Sequence, residues 1–149
     1  MFNSEAGQIR VGGFMVIKDK PCKVTAVSTS KTGKHGHAKC NFTALDIFTN
    51  KKYEDIIPAT HNAHIPFVTR KDYDLLDITD DGFLSLMEET GDMREDVKLP
   101  EYPEGYAREL QQAFEKAQAE SKTLSVSLLC AMGHEQIMSH KEVQEVAAK

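Results

Sequence analysis

The stretch Ser28-Thr-Ser-Lys-Thr-Gly-Lys-His-Gly-His-Ala-Lys39 decides how the chain is read. From Ser28 to His37 it holds no apolar side chain, so it has nothing to bury. Strand-like runs flank it, Cys22-Lys-Val-Thr-Ala-Val27 before and Ala38-Lys-Cys-Asn-Phe-Thr-Ala-Leu-Asp-Ile-Phe48 after. Two such runs around a polar, Gly-containing segment predict a long β-hairpin. Gly33 and Gly36 bracket Lys34 and His35, and glycine accepts positive φ without a Cβ clash. The expected result is an exposed tip presenting Lys34. Connections longer than a hairpin turn requires are usually functional or disordered. Lys31, Lys34, Lys39, His35 and His37 concentrate here in a chain of net charge −5, which favours function.

Several chemistries compete for this loop. A phosphate-binding P-loop requires Gly, four residues, then Gly-Lys-Ser/Thr. Here Ser28 occupies the first glycine position and His35 follows the lysine, so that reading fails. His35, His37 and Cys40 have a spacing that could open a metal site, but a structural zinc needs four closed ligands. A strand starting near Ala38 turns Cys40 into a core instead, and no metal is expected. A solvated basic loop without a special task is the plain alternative.

The eight residues Thr32-Gly-Lys-His-Gly-His-Ala-Lys39 resemble the signature of the eukaryotic translation initiation factor 5A family. The resemblance extends to Asp46-Ile-Phe-Thr-Asn-Lys-Lys-Tyr-Glu-Asp-Ile-Ile-Pro-Ala-Thr-His-Asn62 and to Arg94-Glu-Asp-Val-Lys-Leu-Pro100. It covers nearly the whole chain from about Phe14 onward. It implies an all-β protein of two small barrels, an N-terminal SH3-like barrel (residues 1–67) and a C-terminal OB-fold (residues 68–149). It implies that Lys34 becomes hypusine. Deoxyhypusine synthase would transfer an aminobutyl group from spermidine to Lys34, and deoxyhypusine hydroxylase would add a hydroxyl. Lys31, Thr32, Gly33, His35, Gly36, His37 and Lys39 would shape the loop and present it to those enzymes and to RNA. The implied partner is the ribosome, with its rRNA and the peptidyl-tRNA, and the implied task is relief of stalls at proline-rich sequence and assistance in termination. The family commonly carries a longer acidic tail than the ten residues that precede Val11 here.

The residues themselves bound the same picture. A length of 149 residues suits one domain or two small ones, and 40% hydrophobic residues without Trp supply small cores. Cys22, Cys40 and Cys130 are odd in number, widely spaced and lack a CxxC, so they read as buried thiols in a reducing compartment. The N-terminus lacks the basic-then-apolar pattern of a signal peptide. No apolar run reaches spanning length, so no membrane association is expected and the chain reads as cytoplasmic.

Strands are expected over 14–17, 22–27, 38–48 and 53–57, a spacing that suits a small barrel. Pro58 and Pro66 flank His61-Asn-Ala-His64, and proline has no N–H to donate to a ladder. The domain boundary is placed there, with a hinge near Ile65-Pro66-Phe67. Residues 1–67 carry nine Lys/Arg against five Asp/Glu, a net of +4; residues 68–149 carry nine against eighteen, a net of −9. Such asymmetry assigns polyanion contact to the first half.

In the second half, Tyr73–Ile78 and Phe83–Met87 flank Asp80-Asp-Gly82, a hairpin signal. A further strand ends near Leu99. After Pro103, Leu110, Ala113, Phe114 and Ala117 mark one face of an amphipathic helix. Thr123–Leu128 alternates as a strand, and Val143, Val146 and Ala147 suggest a short C-terminal helix. Five or so strands with a helix inserted before the last fit an OB-like barrel. Oligonucleotide binding by such a barrel requires a basic groove and stacking aromatics. This half has the wrong sign, and Tyr73 and Phe83 are expected in the core. His134 and His140 read as surface histidines, and Glu88, Glu89, Asp92, Glu95 and Asp96 as a solvated face. No nucleophile–base or carboxylate pair emerges, so no catalytic residue is assigned. The rivals are an unmodified RNA-binding module using the basic barrel directly, and an enzyme using Lys34 and His35.

Overall fold

Alternating burial along Ala38–Asp46 builds the first half: Cys40, Phe42, Ala44 and Asp46 are buried, while the residues between them are not. Side chains on a strand alternate between faces, so this pattern places one face on a core. In the computed structural model, residues 2–31 and 38–143 are described. The chain forms two compact units, Met1–Val68 and Thr69–Lys149.

The first unit is a four-stranded antiparallel sheet in the order β2 (Phe14–Ile17), β3 (Lys20–Lys31), β4 (Ala38–Asp46), β5 (Lys52–Pro58). A second pair joins β1 (Phe2–Glu5) to β6 (Asn62–Ile65). The core holds Met15, Ile17, Cys22, Val24, Phe42 and Ala44, with Ala6 and Ala63 contributed from the smaller pair's end. Strand β3 is longer than expected and includes Pro21, because the turn lies one step earlier: Lys18 and Asp19 both take positive φ, 50° and 63°. Strand β4 stops at Asp46 rather than Phe48. The buried Asp46 carboxylate accepts from the amides of Phe48 (2.8 Å) and Thr49 (3.4 Å) and turns the chain. His61–His64 is not a break. It supplies β6, which satisfies its backbone by pairing with β1 in the register Phe2↔Ile65 to Glu5↔Asn62.

The second unit is a five-stranded barrel sheet in the order β11-β10-β7-β8-β9. Its strands are β7 (Val68–Ile78), β8 (Phe83–Met87), β9 (Met93–Lys98), β10 (Thr123–Ala131) and β11 (His134–Val143). Gly82, at φ 84°, turns β7 into β8. Helix α1 (Tyr106–Ala119) buries Tyr106, Leu110, Phe114 and Ala117 against Leu84, Leu86, Leu128 and Ile137.

Four further expectations are corrected. The helix precedes the last two strands, not the last one. Val143 ends β11 opposite Thr123 instead of starting a helix; Val146 and Ala147 lie outside the described residues. Tyr73 is in the core, but Phe83 is half-buried at the surface with the Lys98 ammonium 5.7 Å from its ring centre. Cys22 and Cys40 are buried free thiols, whereas Cys130 is half-buried. Burial pushes the Cys22 thiol up to about 11, helped by the nearby Asp46 carboxylate.

The barrel's seam is electrostatic. Arg94 on β9 donates to both carboxylate oxygens of Glu135 on β11, at 2.7 and 2.8 Å, and to Asp96 at 2.9 and 3.0 Å. Bidentate pairing of this kind is directional and strong for a surface contact. These bonds hold the Glu135 and Asp96 carboxyls below their ordinary values. Among the described residues no helix is long and apolar enough to cross a membrane.

Candidate functional site: the β3–β4 hairpin and its foot

The ladder between β3 and β4 runs from Cys22↔Asp46 to Lys31↔Ala38. It therefore stays paired up to the residues that flank Thr32, Gly33, Lys34, His35, Gly36 and His37, and those six lie outside the described residues. Lys31 and Lys39 are both described, and both are exposed. Lys31 faces Ala38 and Lys39 faces Ser30 across the ladder. Successive residues alternate faces, so the two lysines stand on opposite faces of the hairpin's foot.

The foot is braced on both sides. Asn41 Nδ2 donates to Ser28 O and Ser30 Oγ, each at 3.4 Å. Strand β5 reaches as high as the foot, pairing Pro58 with Lys39, and the Ala59 amide extends the ladder to Ala38 O at 2.9 Å. Ala59 O in turn accepts from Gly7 N at 2.9 Å, which ties the foot to the 3-10 turn Ala6–Gln8. A register shift between Val24 and Ala26 leaves Thr25 as an extra residue, whose Oγ1 donates to Thr43 O at 3.1 Å. Bulges of this type increase local twist and re-aim the strand beyond them. Below the foot, Phe42 and Cys40 anchor β4 in the core, 1% and 3% exposed.

Cys40, the one described member of the His35, His37 and Cys40 alternative, is placed in the core. Its thiol packs among Met15, Val24 and Phe42, and among the described residues no cluster could hold a metal ion. His35 and His37 lie outside the described residues.

The charge of this unit is not locally cancelled. Of its acidic residues, Glu54 alone makes an ion pair among the described residues, with Lys52 at 3.5 Å. Asp46 is spent on backbone amides, and Asp55 accepts from the Ile56 amide. Lys18 and Lys51 lie over the Tyr53 ring, 6.0 and 5.4 Å from its centre, and remain cationic surface. In the second unit half of the eight described cations are ion-paired: Lys71 with Glu88, Arg94 with Glu135 and Asp96, Lys116 with Glu142, and Lys122 with Glu120 and Glu142. Part of the expected solvated acidic face is thus paired.

His140 is more than a surface histidine. Its Nδ1 lies 2.6 Å from the Tyr106 hydroxyl, with the two rings stacked at 5.5 Å. Burial pushes the Tyr106 phenol up to about 12. The pair was hidden in the sequence because 34 residues separate its members.

Comparison with known proteins completes this description. Residues 2–61 match the family described as "Translation initiation factor 5A-like, N-terminal", and residues 67–141 match "Eukaryotic elongation factor 5A hypusine, DNA-binding OB fold". Eukaryotic translation initiation factor 5A of Dianthus caryophyllus is 53% identical over 142 residues, covering 95% of this chain and 86% of that protein. Eukaryotic translation initiation factor 5A-3 of Arabidopsis thaliana is likewise 53% identical, with 95% and 87% covered. The structure of a translation initiation factor of this kind from Naegleria fowleri superposes with a TM-score of 0.84 at 47% identity, covering 94% of this chain and 97% of that one. An archaeal counterpart from Methanococcus jannaschii, at 23% identity and a TM-score of 0.67, shares the fold.

Proposed function

This chain belongs to the eukaryotic translation initiation factor 5A family of translation factors, and from that premise we propose that it works on the ribosome through a hypusine formed at Lys34. The observation that carries the proposal is the braced foot: a ladder paired to Lys31↔Ala38 directly below the Gly33-Lys-His-Gly36 signature. A rigid base of this kind suits a side chain that must act at a distance from its own domain.

The chemistry derives from lysine's own properties. An ammonium on a four-carbon stem is a compact cation of limited reach. Transfer of an aminobutyl group from spermidine to Lys34 Nζ by deoxyhypusine synthase, which releases diaminopropane, then hydroxylation by deoxyhypusine hydroxylase with dioxygen as the oxidant, lengthens that stem and adds a second cationic nitrogen. The extended arm neutralises phosphates where a protein domain does not fit. Its contribution at the acceptor end of the peptidyl-tRNA is orientation, not proton transfer. Lys31 and Lys39, on the two faces of the foot, add charge toward RNA on either side. The uncancelled charge of residues 1–67 supports that unit as the one facing rRNA. The work is translation in the cytoplasm, promoting synthesis through stalls such as consecutive prolines and assisting termination.

The experiment is Lys34→Arg. Arginine keeps the charge but offers no amine to accept the aminobutyl group. The variant is expected to melt as the parent does and to lose peptide synthesis through consecutive prolines. Full activity would favour the unmodified RNA-binding reading.

A further inference from the structure

The outer face of the second unit carries a polar hollow that the hairpin's chemistry does not use. On β7, Tyr73 and Leu75 are buried, so Arg70 and Asp72 fall on the opposite face. On β10, Leu124, Val126 and Leu128 are buried, which sends Ser125 and Ser127 to that same outer side. Ser139 and Lys141 of β11 pair with Ser127 and Ser125 respectively. With Val126 and His140, these six residues line a cavity of about 260 Å³.

Two features set the hollow apart. Ser127 is 7% exposed, and its hydroxyl is buried without a hydrogen-bond partner among the described residues. Such an atom normally carries a desolvation cost, and natural proteins rarely leave one without a reason. Second, Arg70 and Lys141 both line the hollow and form no ion pair among the described residues, whereas Lys71, Arg94, Lys116 and Lys122 of the same unit do; Lys98 and Arg108 also form none but do not line it. Two free cations and a stranded hydroxyl thus converge in a unit of net charge −9.

We infer that this hollow binds one phosphodiester group of an RNA strand, with Arg70 and Lys141 neutralising it and Ser125, Ser127 and Ser139 donating to its oxygens. Arg70 and Lys141 against Asp72 give a local net of +1, matched to a phosphodiester's single charge and poorly matched to a phosphate dianion. No Phe, Tyr or Trp side chain lines it to act as a stacking platform. The adjoining groove sets Asp72, Asp74, Glu88 and Glu89 against Arg70 and Lys71, a net of −2 that disfavours a second phosphate, so the contact is a single one. It adds to the basic unit's binding and does not replace it. The choice of RNA as carrier rests on the translation reading; the test involves neither Lys34 modification nor ribosomes, so the two can fail separately.

The experiment titrates the isotope-labelled, unmodified full chain with a single-stranded RNA dodecamer and, separately, with inorganic phosphate, following backbone amide resonances. RNA is expected to shift the Ser127 and Ser139 amides. Arg70→Gln and Lys141→Gln should each abolish those shifts and lower the salt slope of RNA affinity by about 0.7, the value for one phosphate contact on a single strand. Ser127→Ala should leave the melting temperature equal or higher, since it removes a stranded hydroxyl, yet weaken the RNA-induced shift at Ser139. A shift by inorganic phosphate but not by RNA would overturn the assignment to a strand. Absence of shifts with both, or an undiminished Ser139 response in Ser127→Ala, would overturn the site.

Discussion

Phe42→Ala measures whether the hairpin's foot depends on the core beneath it. Phe42 is 1% exposed, in the middle of β4, paired with Val27 on one side and Asp55 on the other. Truncating a buried phenylalanine costs about 3–5 kcal/mol, through lost transfer energy and the cavity left behind. A unit of 68 residues at roughly 0.05–0.15 kcal/mol per residue has about 3–10 kcal/mol in total. The variant therefore removes a third or more of the first unit's stability. At about 1.36 kcal/mol per decade, amide exchange protection in β3 and β4 falls by roughly two to four decades. Hydrogen exchange read by mass spectrometry tracks both units in one experiment. Strands β8 and β10 are expected to keep their protection, because each unit has its own core. Equal loss in both units would refute independent folding. Loss of less than one decade in β3 and β4 would refute Phe42 as the anchor.

At the barrel seam, Arg94→Gln removes the contacts to Glu135 and Asp96. The expected cost at neutral pH is on the order of 1 kcal/mol, discounted because these groups are partly exposed. Both carboxyls are held below their ordinary values of 4.5 and 3.8. Their contribution is therefore present above those values and lost as pH falls below them, so the parent and variant denaturation midpoints should converge in acid; a gap that persists at pH 2 would count against the pair. Tyr106→Phe loses the bond to His140 at a cost of about 1 kcal/mol at neutral pH. The phenol's folded value is raised from 10.0 to about 12, so its stabilisation is complete below pH 10 and fades above it. Phenolate absorbance should lack its step near pH 12 in the variant, and an unchanged titration would refute the burial of this hydroxyl.

The long hairpin was legible because its strands alternate and its connecting segment has no apolar side chain. The helix was legible from Leu110, Ala113, Phe114 and Ala117. What escaped was structure whose cause lies in a partner strand. Phe2–Glu5 and Asn62–Ile65 have too few apolar residues to signal strands, and each is held by the other. Strand β11, His134–Val143, is mostly polar; it exists because β10 offers a ladder, with a shift between Ser127 and Leu128 to accommodate it. Pro58 read as a strand breaker and Pro21 fell outside the expected strand 22–27, yet Pro21 sits at the second position of β3 and Pro58 at the last position of β5. Both tolerate a missing N–H there. The candidate site divides the same way. Its signature is local and visible, whereas the brace through Ala59 and Gly7 and the opposed faces of Lys31 and Lys39 depend on register.

The most direct measurement of the central claim is peptide mass mapping of the protein isolated from its own cells, paired with a proline-stall synthesis assay of the same preparation. Lys31, Lys34 and Lys39 lie within nine residues, so the map must distinguish them. The account predicts the added aminobutyl and hydroxyl mass on Lys34 alone, with activity tracking the modified fraction. Unmodified Lys34 in a fully active preparation, or the added mass on Lys31 or Lys39, would contradict it.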